Sequence, residues 1–298
     1  MILIDPPLWP AHGTVFSHLV SDTSLDELHA FAQQIGLPPA AFDRDHYDIP
    51  ERLYHRAVSH GAVEVRSPEL VRRLRASGLR VTKQQHTAEL WQQADRLLQR
   101  WHRLLPEAPE LGRRVLDRWC EQHRRYHTME HLAESLDALR LLAGNEVPFG
   151  RFPRAVWLAA WFHDAVYDPV AADNEERSAA LAEELLDGVV PGAEVEETAR
   201  LVRLTRDHDP ETDDEAGTAL TDADLSILGS TPRRYRSYVR QVQAEYRMVP
   251  PEQFRVGRRQ VVEHLLALEP RFHTSAGFRT WRATSGRNLS EELADLTD

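Results

Sequence analysis

The 298-residue chain carries 36 Lys plus Arg against 47 Asp plus Glu, a formal net charge of −11, with 42% apolar and 28% charged residues. That balance belongs to a folded globular chain, at roughly 150 residues per domain a chain of about two domains, and excludes disordered and fibrous classes. An acidic chain has no bulk attraction for nucleic acid or anionic membrane, and no run reaches the ~18 apolar residues of a membrane span. The basic residues are almost all Arg, with Lys83 the only lysine, so a local basic groove stays open. A single cysteine, Cys120, excludes an internal disulfide and a Cys-rich zinc finger. It suits a reducing compartment, and the opening MILIDPPLWP lacks a basic n-region, so the expected location is cytoplasmic.

Residues 1 to about 82 read as a small α/β domain. The apolar run 1–4, stopped by Asp5-Pro6-Pro7, predicts a buried strand. Ser24 with Glu27 forms a capping signal for a helix whose stripe is Leu25, Leu28, Phe31, Ala32 and Ile35, ended by Gly36 and Pro38. Residues 62–65 predict a second strand, and Ser67-Pro68 opens a helix carrying Leu70, Val71 and Leu74 up to Gly78. Polar cluster residues His12, His18, Ser21, Asp22, Asp45, His46 and Asp48 fall in expected loops, where they read either as a ligand or metal site or as turn chemistry. The polar stretch 82–86 is the expected linker.

The second expected domain is 83–298, and from Thr87 onward its periodicity is 3.6 nearly throughout. It predicts helices near 87–104, 110–125, 128–142, 153–167, 173–187, 194–207, 218–228, 232–246, 251–267 and 288–296. Loops at Gly144, Pro148, 188–192 and 210–217 separate them. The expected fold class is mainly α, an irregular all-helical bundle with a small N-terminal α/β domain.

Four polar segments interrupt the apolar helices: Tyr126-His127-Thr128-Met129-Glu130-His131, His163-Asp164 after the apolar run 155–162, Thr205-Arg206-Asp207-His208, and Asp222-Ala223-Asp224. Each alone reads as capping or turn chemistry. Together, two His and two Asp in the order H…HD…D on separate helices supply imidazole and carboxylate ligands. These suit one or two divalent ions (Mn, Fe, Ni, Zn or Mg) with positions left for water and substrate.

The stretches RRYHTMEHL, LAAWFHDAVYD, DNEERSA, LTRDH, LTDADLSILG, QAEYRMV and GRNLSEEL resemble a bacterial branch of the HD superfamily of predicted metal-dependent phosphohydrolases over residues 87–298. Residues 1 to about 80 resemble an uncharacterised domain often found in front of it. The resemblance implies that His131, His163, Asp164 and Asp224 are metal ligands. YHTMEH is also similar to the YHNxxHAxD segment of eukaryotic cyclic nucleotide phosphodiesterases, and DADLS to their ADLS. Carried over, His127 becomes the general acid, and Asp224 rather than Asp222 the ligand, with Asp222 left to cap the helix or hold a neighbouring His. The purine-clamping glutamine and aromatic of those enzymes have no counterpart here, so cyclic nucleotide specificity is not implied.

Within that frame Asp164 is placed to bridge two ions. His208, Glu175 and Asp168 stand as spare ligands or water-positioning groups, His208 alternatively as a helix C-terminal histidine favoured by the dipole. Asn174 and Glu175 read either as site residues or as an ordinary helix start. Arg124, Arg206 and Arg258 are the candidates for gripping a phosphate, since the guanidinium fork matches its edge. The expected function is hydrolysis of a small phosphate ester or nucleotide by metal-activated water. The alternatives are a di-iron HD-type oxygenase and a nucleotide-binding regulatory module without turnover. The N-terminal domain could present substrate, sense a regulator or mediate oligomerisation.

Overall fold

In the computed structural model, residues 1–11, 13–144 and 150–297 are described, so His12 and Pro148 lie outside the described residues. The chain divides into two compact units, Met1–Trp91 and Gln92–Asp298.

The first unit is a mixed sheet with helices on both faces. Its elements are β1 (Ile2–Ile4), β2 (Trp9–Ala11), β3 (Thr14–Ser21), α1 (Leu25–Gln34), β4 (Phe42–Asp43), β5 (His46–Pro50), α2 (Glu51–Ser59), β6 (Val63–Glu64) and α3 (Ser67–Ala76). The strand order is β4-β5-β3-β1-β6, with β2 beside β3; among the described residues only the β1–β6 pair is parallel. Alternation along the strands sorts the side chains between two cores. Ile2, Ile4, Leu19, Tyr47 and Ile49 pack on Leu28 and Phe31 of α1 and Tyr54 and Ala57 of α2. Leu3 and Val20, on the opposite face, pack on Leu70 and Leu74 of α3.

The expected strands 1–4 and 62–65 appear as β1 and β6, and the Ser24 cap forms, its Oγ accepting from the Glu27 N–H at 3.1 Å. Five elements were not expected, the short strands β2 and β4 among them. β3 is covered on both faces, so it lacks clean alternation; β5 carries Asp48 and Pro50, residues depleted in strands; and α2 starts directly after Pro50 with few apolar positions. His18 and His46 of the cluster therefore sit in strands, not in loops. Ser21 and Asp22 turn elsewhere: Ser21 Oγ donates to the Glu27 carboxylate, and Asp22 pairs with Arg73 and the N-terminal ammonium.

The division between units falls inside α4 (Lys83–Leu104). It is followed by α5 (Pro109–Arg118), α6 (Met129–Leu142), α7 (Arg154–Phe162), α8 (Asn174–Leu186), α9 (Gly192–Leu204), α10 (Glu215–Asp224), α11 (Pro232–Glu245), α12 (Pro251–Ala267) and α13 (Ser275–Asp295), with a 3-10 turn over Leu225–Gly229. Among the described residues no helix is long and apolar enough to cross a membrane. Helix α7 is the hub. Seven of its residues from Ala155 to Phe162 are buried, and it packs against α6, α8, α9 and α10. Trp119 locks its end, donating from Nε1 to the Trp161 carbonyl at 3.0 Å.

Two expected helices overran. The one at 110–125 stops at Arg118 and the one at 153–167 at Phe162. Beyond both ends the buried Arg124 guanidinium donates to the carbonyls of His127, Asp164 and Ala165, tying the two non-helical segments together. The helix expected at 288–296 is the end of α13, whose earlier turns hold Gly277, Gly286 and polar residues that blur the periodicity.

Helices α4 and α5 touch at Gly112, where a Cβ would overlap the indole of Trp101, itself held by a 2.9 Å bond from Nε1 to the Ala108 carbonyl. Gly112→Ala gains about 1 kcal/mol of helix propensity, but overpacking a filled core costs about 1–3 kcal/mol. Urea unfolding is expected to show a net loss of stability; an unchanged or raised midpoint would mean that the indole moves freely.

Candidate metal centre

Four side chains from three helix ends meet inside the helical unit. Thr128 caps α6, its Oγ1 accepting from the Glu130 N–H at 3.3 Å, and this puts His131 in the first turn. His163 and Asp164 follow the last turn of α7, and Asp224 closes α10. His131 Nε2 lies 3.2 Å from His163 Nε2, 3.1 Å from Asp224 Oδ1 and 3.7 Å from Asp164 Oδ2. His163 Nε2 lies 3.3 Å from Asp164 Oδ2 and 3.5 Å from Asp224 Oδ1. Such separations are those of neighbouring ligand atoms around an ion with bonds of about 2.0–2.2 Å.

The far side of each ring fixes its orientation. His163 Nδ1 donates to the Ala160 carbonyl at 2.9 Å, which turns Nε2 toward the site. His131 Nδ1 is 2.9 Å from the Tyr126 hydroxyl. Outer partners of this kind set the tautomer and the direction of a metal-bound imidazole. Both rings are buried, and Trp119 packs on them at centroid distances of 5.3 and 6.2 Å.

The electrostatics follow from four ionisable groups sharing one buried space. Burial pushes the Asp164 carboxyl up, but the imidazoles of His163 and His127 outweigh it and hold the carboxyl low. Asp224 is likewise held well below its ordinary range, against burial, by His163, His131 and His208. The site is thus built to keep its carboxylates anionic.

A second layer surrounds these four. His127 Nδ1 pairs with Glu245 Oε2 at 2.8 Å, its Nε2 lies 3.9 Å from Asp164 Oδ2, and its ring stacks on Tyr167 at 3.9 Å. His208 Nε2 lies 2.8 Å from Asp224 Oδ2, on the oxygen turned away from His131. Its backbone has φ +52°, a left-handed conformation that non-glycine residues adopt at a cost and that clusters at functional sites. Glu175 stands near Asp164, His208 and Arg206; burial and the Asp164 charge raise its pKa.

The other candidates go to different tasks. Arg124 is buried against backbone carbonyls and Glu121, and Arg258 is buried in an ion pair with Glu292 while donating to the Tyr238 hydroxyl. Both guanidiniums are committed to these partners. Arg206 is exposed and paired with Asp207. Asn174 fastens a loop through two bonds to the Asp168 backbone, at 3.0 and 2.9 Å, and Asp168 Oδ1 accepts from the Val170 N–H. Asp222 points away from Asp224, as residues two apart on a helix must. It accepts from the His273 and Thr274 N–H groups and the Thr274 hydroxyl, capping the start of α13 and holding no imidazole.

Sequence reasoning missed Glu245. Its Oε1 accepts from the N–H groups of Arg125, Tyr126 and His127, while Oε2 takes the His127 ring and the Tyr167 hydroxyl. The signal was present: Glu245 continues the buried stripe Tyr235, Tyr238, Val242 of α11, and a glutamate on such a stripe requires partners.

A family described as "Protein of unknown function (DUF4031)" matches residues 2–77. No curated protein and no solved structure matches the chain.

Burial opposes the Glu245 charge, but His127 and the backbone N–H groups hold its pKa down, to about 2 from an ordinary 4.5. A carboxyl depressed on folding stabilises the fold above its unfolded value and loses that contribution as the pH falls through the folded one. Glu245→Gln is therefore expected to cost about 3–5 kcal/mol near neutral pH, as when one partner of a buried pair is removed. It should also flatten the loss of stability between about pH 4.5 and 2. Urea unfolding across that range checks both; a variant as acid-sensitive as the parent contradicts the assignment.

Proposed function

We propose that the helical unit is a metal-dependent phosphohydrolase of the HD type, cleaving a small phosphate ester or nucleotide. The observation that carries the reading is the convergence of His131, His163, Asp164 and Asp224, with the His127–Glu245 pair beside it. The donor set fits a divalent ion: two imidazoles with Nε2 turned inward, two carboxylates kept anionic, and spacings of 3.1–3.7 Å between the two Nε2 atoms and from them to the carboxylate oxygens. A divalent ion in such a site lowers the pKa of bound water toward 7 and offsets phosphate charge.

The chain's own groups divide the remaining work. Glu245 fixes His127 through Nδ1, so its Nε2, beside Asp164, is the atom placed to hand a proton to a leaving oxygen. Trp119, Tyr126 and Tyr167 hold the rings in place and limit water around them. Arg206 is the arginine left at the surface beside Glu175, where it could meet a phosphate by giving up Asp207. An acidic chain with one exposed cysteine suits a small-molecule substrate in a reducing cytoplasm. A second reading, the di-iron oxygenase, draws support from His208 on the outer oxygen of Asp224; two irons per chain with an EPR signal would establish it.

The roles of the two motif histidines separate cleanly. His131→Ala should lose metal and turnover together on a phosphoester panel with Mn²⁺. His127→Ala should keep the metal and lower kcat by about 10²–10⁴, the usual worth of a general acid. That loss should shrink for a nitrophenyl ester, whose leaving group needs no proton. Metal loss in His127→Ala, or equal loss for good and poor leaving groups, contradicts the assignment.

A further inference from the structure

We propose that the N-terminal unit carries its own divalent-cation site, formed by His18, His46 and Asp48 on one face of its sheet. The inference is independent of the phosphohydrolase reading, since it concerns other residues in the other unit.

Strand geometry brings the three together. His18 of β3 pairs directly with Asp48 of β5, and His46, two residues before Asp48, shares its face. The residues between them, Leu19 and Tyr47, point into the opposite core. The His18, His46 and Asp48 donor atoms all lie within 4.8 Å of one another. Asp48 Oδ1 is 3.6 Å from His46 Nε2 and 4.0 Å from His18 Nε2. These spacings are slightly wider than those around an ion with bonds of about 2.0–2.2 Å. The Asp48 side chain is 49% exposed and free to close the gap.

What distinguishes the cluster from a chance meeting is its support. Each imidazole has its Nδ1 on a different, fully buried carboxylate: His18 on Asp5 at 3.1 Å and His46 on Asp45 at 2.7 Å. Asp5 is held in turn by the His18 N–H, the Ser67 hydroxyl and the Trp9 indole N–H. Asp45 is held by the Arg80 guanidinium and the Val81 N–H. Two buried carboxylates thus orient two rings so that both Nε2 atoms turn toward one half-exposed aspartate. Carboxylate–histidine pairs of this kind fix the tautomer and raise the basicity of metal-bound imidazoles. A histidine packed for structure alone has no need of that convergence. Two nitrogens and one carboxylate oxygen suit a first-row divalent transition metal. Three protein ligands leave positions for water or for an anionic ligand.

The test uses the full chain, stripped with chelator and titrated with Co²⁺, with the visible absorption and the bound metal measured. His46→Ala and Asp48→Asn are each expected to bind one fewer Co²⁺ than the parent, or to bind that ion at least about ten-fold more weakly. His131→Ala, altered in the other unit, should retain it. Asp48→Asn removes only a surface charge, so it decides the matter if His46→Ala fails to fold. Identical stoichiometry and affinity in the parent, His46→Ala and Asp48→Asn would overturn the proposal. So would loss of the same ion in His131→Ala.

Discussion

Two carboxylates and two imidazoles meet at the ends of helices whose buried faces are mainly apolar, and that constraint organises the helical unit. Charged groups taken out of water need partners at hand, or they neutralise or destabilise the fold. Here the partners are arranged in layers. In the inner layer the two imidazoles face each other and both carboxylates at 3.1–3.7 Å. Around them Tyr126, the Ala160 carbonyl and His208 fix three of the four, and Glu245 collects the adjacent His127 and three backbone N–H groups. The termination of α7 at Phe162 belongs to the same arrangement. Beyond that end Arg124 satisfies the carbonyls of Asp164 and Ala165, which lie outside the helix, while the His163 and Asp164 side chains face inward.

Much of this was legible in the sequence because it is local. Apolar runs broken by paired ionisable residues mark buried helix ends that require partners, and the order H…HD…D named the four side chains that converge. Asp222 and Asp224 separated by helical geometry alone. What was not legible depends on tertiary placement. Arg124 and Arg258 look like phosphate ligands in a sequence, yet each is buried by long-range partners, backbone carbonyls for one and Glu292 for the other. Glu245 lies 118 positions from His127, and only the stripe of α11 hints at it.

The N-terminal unit was harder to read for a related reason. A strand covered on both faces shows no alternation, so β3 resembled a loop, and β5 was hidden by Asp48 and Pro50. The polar residues that obscured these strands are those that gather on one sheet face. His18 and Asp48 became neighbours only through the β3–β5 register. In both units the positions that break the local pattern are the ones that collect ligand-type side chains, as sequences do where function overrides regularity.

The most direct measurement is anomalous diffraction from crystals of the full chain grown with Mn²⁺, recorded on the low- and high-energy sides of the manganese edge. The account predicts a manganese peak bonded to His131 Nε2, His163 Nε2 and oxygens of Asp164 and Asp224, at about 2.0–2.3 Å. The same four side chains in the same arrangement, at saturating Mn²⁺ and with no anomalous peak between them, would contradict it.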